Sequence, residues 1–146
     1  MNILPLSGLE ELQNIVSGKM PQPAMVLTMG GKIITAEPGF ARIEAVANET
    51  HLNPMLGVHG GFACTILDSI TGCAVHSLLK VGESYGTIDI SVKMMRPVPQ
   101  GTRLIAEGRM INMSKSLGVS EGKLVDEAGK IYAHATCTCK INRPAS

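Results

Sequence analysis

Aromatic side chains are almost missing from this chain: two Phe, two Tyr and no Trp among 146 residues. That scarcity removes the platforms on which the bases of a single-stranded nucleic acid stack. Neither sign of charge dominates, with 13 Lys and Arg against 12 Asp and Glu, so no global field gathers a polyanion. No nucleic-acid partner is expected. The N-terminus has neither the basic segment nor the continuous apolar run of a secretory leader. The four cysteines, Cys64, Cys73, Cys137 and Cys139, lack the paired two-residue spacing of a thiolate metal site. The expectation is a cytoplasmic chain with reduced thiols, Cys137 and Cys139 being buried in a strand, and with no metal and no cofactor. G-x-S-x-G is also missing, as is any local Ser-His-Asp or Cys-His group, which removes Ser69 and Cys73 as nucleophiles. His51, His76 and His134 are scattered and form no ligand pair.

What is present is aliphatic: 45% of the residues are hydrophobic, enough for one substantial core, so residues 1–146 read as a single domain. Ser7-Gly-Leu-Glu10 is a capping-box pattern that starts a short helix running to about Ser17, with Gly18 at its end. Ala24 to Met29 and Lys32 to Ala36 read as two strands about the Gly30-Gly31 pair, and Phe40 to Ala47 as another. From Asn48 to Gly60 the periodicity is lost, and a loop of that length invites a functional explanation. Gly61 to Leu79 is then a helical run, apolar over most of its circumference and roughly 28 Å long. Such a helix is expected to be buried nearly all round. Asp68 near its centre argues against a membrane span, so no membrane partner is expected.

The rest alternates with period two. Ile88, Ile90, Val92 and Met94 form one apolar face until Pro97, with Asp89 on the polar face. Further strands are expected around Leu104 to Met110, Leu117 to Val125 and Ile131 to Cys139, with Asp126 to Gly129 as the turn between the last two. Short connections favour an antiparallel sheet, and the one long apolar helix must cover its apolar face. The fold class is α+β: a curved antiparallel β-sheet wrapped around a long central α-helix, with a short N-terminal helix.

Asp68 is the residue that most needs a reason, because an unpaired carboxylate on an apolar helix costs desolvation energy and gains an altered proton affinity. It is a candidate functional group, or else a structural carboxylate bonded to a hydroxyl or to Arg96. At the start of the helix, N–H groups without intrahelical acceptors favour negative charge. Gly60 could present such a donor to a developing oxyanion, or it could simply make a tight turn with Gly61. Gly60 and Asp68 are eight residues apart, roughly 12 Å along a helix, too far to act on one carbonyl. Two central helices lying antiparallel in a homodimer would bring each junction to the middle of the other helix.

The stretch Asn53-Pro-Met-Leu-Gly-Val-His-Gly-Gly-Phe-Ala-Cys-Thr-Ile-Leu-Asp-Ser-Ile-Thr-Gly-Cys-Ala74 resembles the motif of hotdog-fold acyl-CoA thioesterases, in the phenylacetate-pathway-like (PaaI-like) branch. Tyr85 to Pro97 resembles the same family, so the likeness spans about three quarters of the chain. The resemblance implies a hotdog dimer, often paired into a homotetramer, that hydrolyses acyl-CoA to a free carboxylic acid and CoA. It implies the oxyanion-binding N–H at Gly60 and the carboxylate at Asp68 of the opposite protomer, acting as base on water or as nucleophile. It also implies an orienting amide at Asn53 and a hydroxyl at Thr87 that helps to hold the water. His59, Gly61 and Phe62 are candidate substrate contacts, although His59 can equally satisfy loop carbonyls. A non-catalytic acyl-binding module and, more distantly, a hotdog dehydratase are the alternatives.

Overall fold

The computed structural model describes residues 4–145. Helix α1 (Gly8–Ser17) is followed by α2 (Ala24–Thr28), the hairpin β1 (Gly31–Glu37) and β2 (Phe40–Val46), and a single 3₁₀ turn, Glu49–His51. Then come the long helix α3 (Gly60–His76) and four strands, β3 (Ser84–Met94), β4 (Arg103–Met113), β5 (Leu117–Val125) and β6 (Ile131–Asn142). All pairings are antiparallel, in the order β1-β2-β4-β5-β6-β3. The sheet curls around α3, which carries the chain from β2 across to β3 at the far edge; β4 then returns beside β2. This is the hotdog fold.

The start of α1 follows its sequence closely. The Ser7 N–H donates to Glu10 Oε2 at 2.8 Å, the Glu10 N–H donates to Ser7 Oγ at 3.3 Å, and Gly18 closes the helix with φ 85°. The bond from the Ser7 backbone holds the Glu10 carboxyl below its ordinary value. The Asp126 turn also forms as its residues dictate: its carboxylate accepts from the N–H groups of Ala128 and Lys130, and Gly129 takes φ 83°.

Residues 24–29 form a helical turn and not the expected strand. A short apolar run does not distinguish strand from helix, and one turn buries Val26 while leaving Met25 and Leu27 exposed, just as an alternating strand would. His51 Nε2 donates to the Thr28 carbonyl at 2.8 Å, satisfying a group at the end of this turn. Gly30, at φ 65°, therefore joins helix to strand and is not a hairpin loop. The central helix ends three residues earlier than its pattern, at His76, where the Ser77 hydroxyl donates to the Ala74 carbonyl and accepts from the Gly39 N–H.

Two burial expectations are also corrected. In β3 a bulge between Thr87 and Asp89 breaks the alternation and turns Ile88 outward, 61% exposed. Helix α3 is not buried all round: Phe62, Ala63, Ile66, Leu67 and Ile70 enter the core, whereas Gly61, Cys64, Thr65 and Asp68 leave an open stripe on the protomer. Close approach of helix to sheet depends on Gly108 and Gly122, which pair across β4 and β5 beneath Ile70. A Cβ on Gly108 would lie within 2.3 Å of the Ile70 carbonyl oxygen, a distance no side chain tolerates.

Candidate active site

The loop before α3 is held by its own polar groups. Asn53 Oδ1 accepts from the N–H groups of Met55 and Gly57 at 2.9 and 3.1 Å, and the Asn53 N–H donates to the Gly57 carbonyl at 2.7 Å. This tight loop carries Leu56 at φ 64°. The Asn53 carbonyl oxygen is thus committed to the loop, and its NH₂ is the end of the amide left for a ligand. His51 ties the loop down from the other side: its Nδ1 accepts from the Asn48 N–H at 3.0 Å, its backbone carbonyl accepts from the His59 N–H at 2.8 Å, and its ring lies 5.1 Å from that of Phe62.

His59 ends the loop by capping the helix, its Nδ1 accepting from the Gly61 N–H at 2.7 Å. Its Nδ1 thus serves a backbone amide, a structural role beside the two considered for it. The cap consumes the Gly61 donor, while the Gly60 N–H has no acceptor among the described residues. Gly60 opens into a cavity of about 270 Å³ lined by Val58, Ala63, Met94, Arg96 and Val98. A second cavity of about 420 Å³ lies on the other side of the junction, between Met29, Leu52, Gly61 and Phe62. His59 borders both. Phe62 itself is 2% exposed and is chiefly a core residue.

Two turns along α3, Asp68 lies exposed on the open stripe of the protomer, so the expected desolvation is absent from the single chain. Its partner is a hydroxyl: Thr87 Oγ1 donates to Asp68 Oδ1 at 2.9 Å. Arg96, the other partner considered, donates instead to the Ile131 carbonyl. Behind Thr87 lie the buried thiols Cys137 and Cys139, 3.7 Å apart, with Cys139 Sγ 3.8 Å from Thr87 Oγ1. The Thr87 hydroxyl faces the helix ahead of the bulge, and the shift that follows it lets Ile90 and Val92 face inward as well. Met94 and Arg96 border the Gly60 cavity, and the sequence pattern did not single them out as site residues. The only signal for them was their position at the end of the β3 run, where Pro97 stops the strand.

The protomer therefore carries, on one helix, a free N–H at its positive end and a hydroxyl-held carboxylate about 12 Å further on. The sheet wrapped around this helix is the architecture of the hotdog-fold class. The chain belongs to the thioesterase superfamily, whose family model matches residues 57–133. Among relatives, a candidate esterase of Halobacterium salinarum is 34% identical over 113 residues, 74% of each chain. Human acyl-coenzyme A thioesterase 13 is 27% identical over 111 residues, 74% of this chain and 79% of its own. A candidate thioesterase of Ralstonia eutropha, related to phenylacetic acid degradation, superimposes with a TM-score of 0.79 at 30% identity, covering 88% of this chain and 98% of its own. The chain is thus closely related to the phenylacetate-degradation thioesterases, and homology places it among hydrolases.

Among the described residues no helix is long and apolar enough to cross a membrane.

Proposed function

We propose that the protein is an acyl-CoA thioesterase whose two equivalent sites each draw on both protomers of a homodimer. The observation that carries this reading is the Thr87–Asp68 hydrogen bond of 2.9 Å on the open face of α3. It fixes one carboxylate oxygen and leaves the other to take a proton. The Gly60 N–H, at the same helix's N-terminus, stabilises the oxyanion of a substrate that reaches Asp68 of the other protomer.

Two features support the dimer. The stripe of Gly61, Thr65 and Asp68 is open on the single chain, and it adjoins β3, an eleven-residue edge strand whose outer side has no partner among the described residues. A long edge strand with Ile88 and Met94 more than half exposed is a ready template for a second copy.

In the reaction, Asp68 takes a proton from water as the water oxygen attacks the thioester carbon. The tetrahedral oxyanion forms against the Gly60 N–H and the Asn53 NH₂ orients the acyl group. The C–S bond then breaks, and the departing CoA thiolate receives the proton. The likeness to the phenylacetate-degradation thioesterases supports a modest aromatic or medium-chain acyl group. Mass detection of the products formed from a panel of acyl-CoAs is the test: free acid and CoA are expected. Binding without turnover would point to an acyl-binding module, and an enoyl product to a dehydratase; either result overturns the reading.

A further inference from the structure

Tyr85 is one of only two tyrosines in the chain, and its hydroxyl has no hydrogen-bond partner among the described residues. On β3 it stands two residues before Thr87. Tyr85 pairs with Ile141 and Thr87 with Cys139, both inward-facing positions of β6, so both side chains project towards α3 ahead of the bulge. The ring packs against the edge of His76 at 5.7 Å between centroids. The hydroxyl is wedged over Gly72, where an added Cβ would come within 2.7 Å of it. Gly72 is therefore the helix position that admits this hydroxyl.

Residue 72 is one helical turn beyond Asp68 on the same face of α3, where Cβ positions four apart lie about 5–6 Å from one another. Two hydrogen bonds of about 2.8 Å through one water span such a gap. We infer that Tyr85 is a water-positioning residue: its phenolic oxygen accepts one hydrogen of the attacking water while Asp68 takes the other. The water's lone pair is then aimed away from both, at the thioester carbon. Asp68 removes one proton as the O–C bond forms and later passes it to the leaving sulfur; the second hydrogen remains on the oxygen of the new acid. Burial, with added repulsion from Cys73, Cys139 and Asp68, pushes the Tyr85 phenol well above its ordinary range, so it stays a neutral hydroxyl at working pH. Thr87, which the family resemblance implies as a holder of the water, spends its hydrogen on Asp68 and so holds the base, while Tyr85 holds the nucleophile.

The inference rests on the thioesterase reading, and its test separates the two. Tyr85→Phe keeps the ring against Gly72 and His76 and removes only the oxygen. Acyl-CoA turnover is measured in dilute methanol, with free acid and methyl ester quantified separately. Methanol has a single O–H, which Asp68 takes, so methanolysis does not use the Tyr85 oxygen. The expected result is a fall of about tenfold in hydrolytic kcat, the scale of one lost hydrogen bond. KM should change less than twofold, the melting temperature should hold, and the ester-to-acid ratio should rise by about tenfold. An unchanged ratio, whether both products fall together or neither falls, overturns the role of Tyr85 while leaving the thioesterase reading intact. Wild-type protein that releases no acid from any acyl-CoA overturns both.

Discussion

The two ends of α3 are held in opposite ways. At its C-terminal end nearly every group is used: the Gly8 N–H donates to the Leu79 carbonyl at 3.0 Å, Glu11 meets His76 at 2.7 Å, and the Ser77 hydroxyl bonds on both sides. At its N-terminal end one cap serves Gly61, the Gly60 N–H stays free, and two cavities flank the junction. The closed end anchors the helix so that the open end can keep an unsatisfied donor, a local cost that recurs at functional sites. In the proposed reading the open end supplies the oxyanion donor, while the closed end fixes the helix and packs His76 against Tyr85.

The largest expected effect lies towards the open end. Asp68→Asn should lower turnover at saturating acyl-CoA by roughly 10²- to 10⁴-fold, the range of a lost acid–base group, with an unchanged circular-dichroism spectrum. A loss of less than a few-fold would remove Asp68 from the chemistry. Next is the sharing of sites. When Asp68→Asn is mixed with Gly60→Val, confirmed heterodimers should hold one intact site and recover up to about half of the wild-type activity per dimer. No recovery would assign each site to a single chain.

At the closed end the main effect should be on stability. Gly8→Ala places a Cβ within 1.8 Å of the His76 carbonyl oxygen, so α1 must shift. A loss of about 1–3 kcal/mol is expected from such overpacking, read as a lower melting temperature with unchanged activity per folded molecule. Reduced kcat at full folding would break the division between the ends.

The last effect is a pH dependence, absent at neutral pH and confined to alkaline solution. Burial pushes the Cys73 thiol up from 9.0 to about 12. A folded-state value above the unfolded one gives stability that is complete below about pH 9 and is lost as pH rises towards 12. Cys73→Ala should flatten the stability curve in that window; an equally steep alkaline loss in the variant would assign it to other groups.

Much of this contrast was legible in the residues. The Ser7–Glu10 box, Gly18, the Asp126 turn and the period-two strands β4 to β6 follow from local hydrogen bonding and alternation, which need no distant partner. Gly60 and Asp68 were candidates from their spacing, and Asn53 and Thr87 from the family resemblance alone. The misread segments each depended on something remote in sequence. Residues 24–29 close into a helical turn whose carbonyl is satisfied by His51, and Ile88 faces outward because β3 bulges against β6. The burial of Asp68 was overread because hydropathy along a helix counts apolar neighbours in sequence, whereas its surroundings are set by which face the sheet leaves open.

The sequence by itself determined that one apolar helix would be wrapped by an antiparallel sheet, and that Gly60 and Asp68 would stand about 12 Å apart on it, because periodicity and helical rise are local properties. Only the tertiary structure decided that Thr87 would hold Asp68, that His59 would cap Gly61 and leave Gly60 free, and that Tyr85 would fill the space over Gly72. Those contacts join residues whose side-chain directions depend on caps, bulges and close packing, and a strand's facing changes with a single inserted residue.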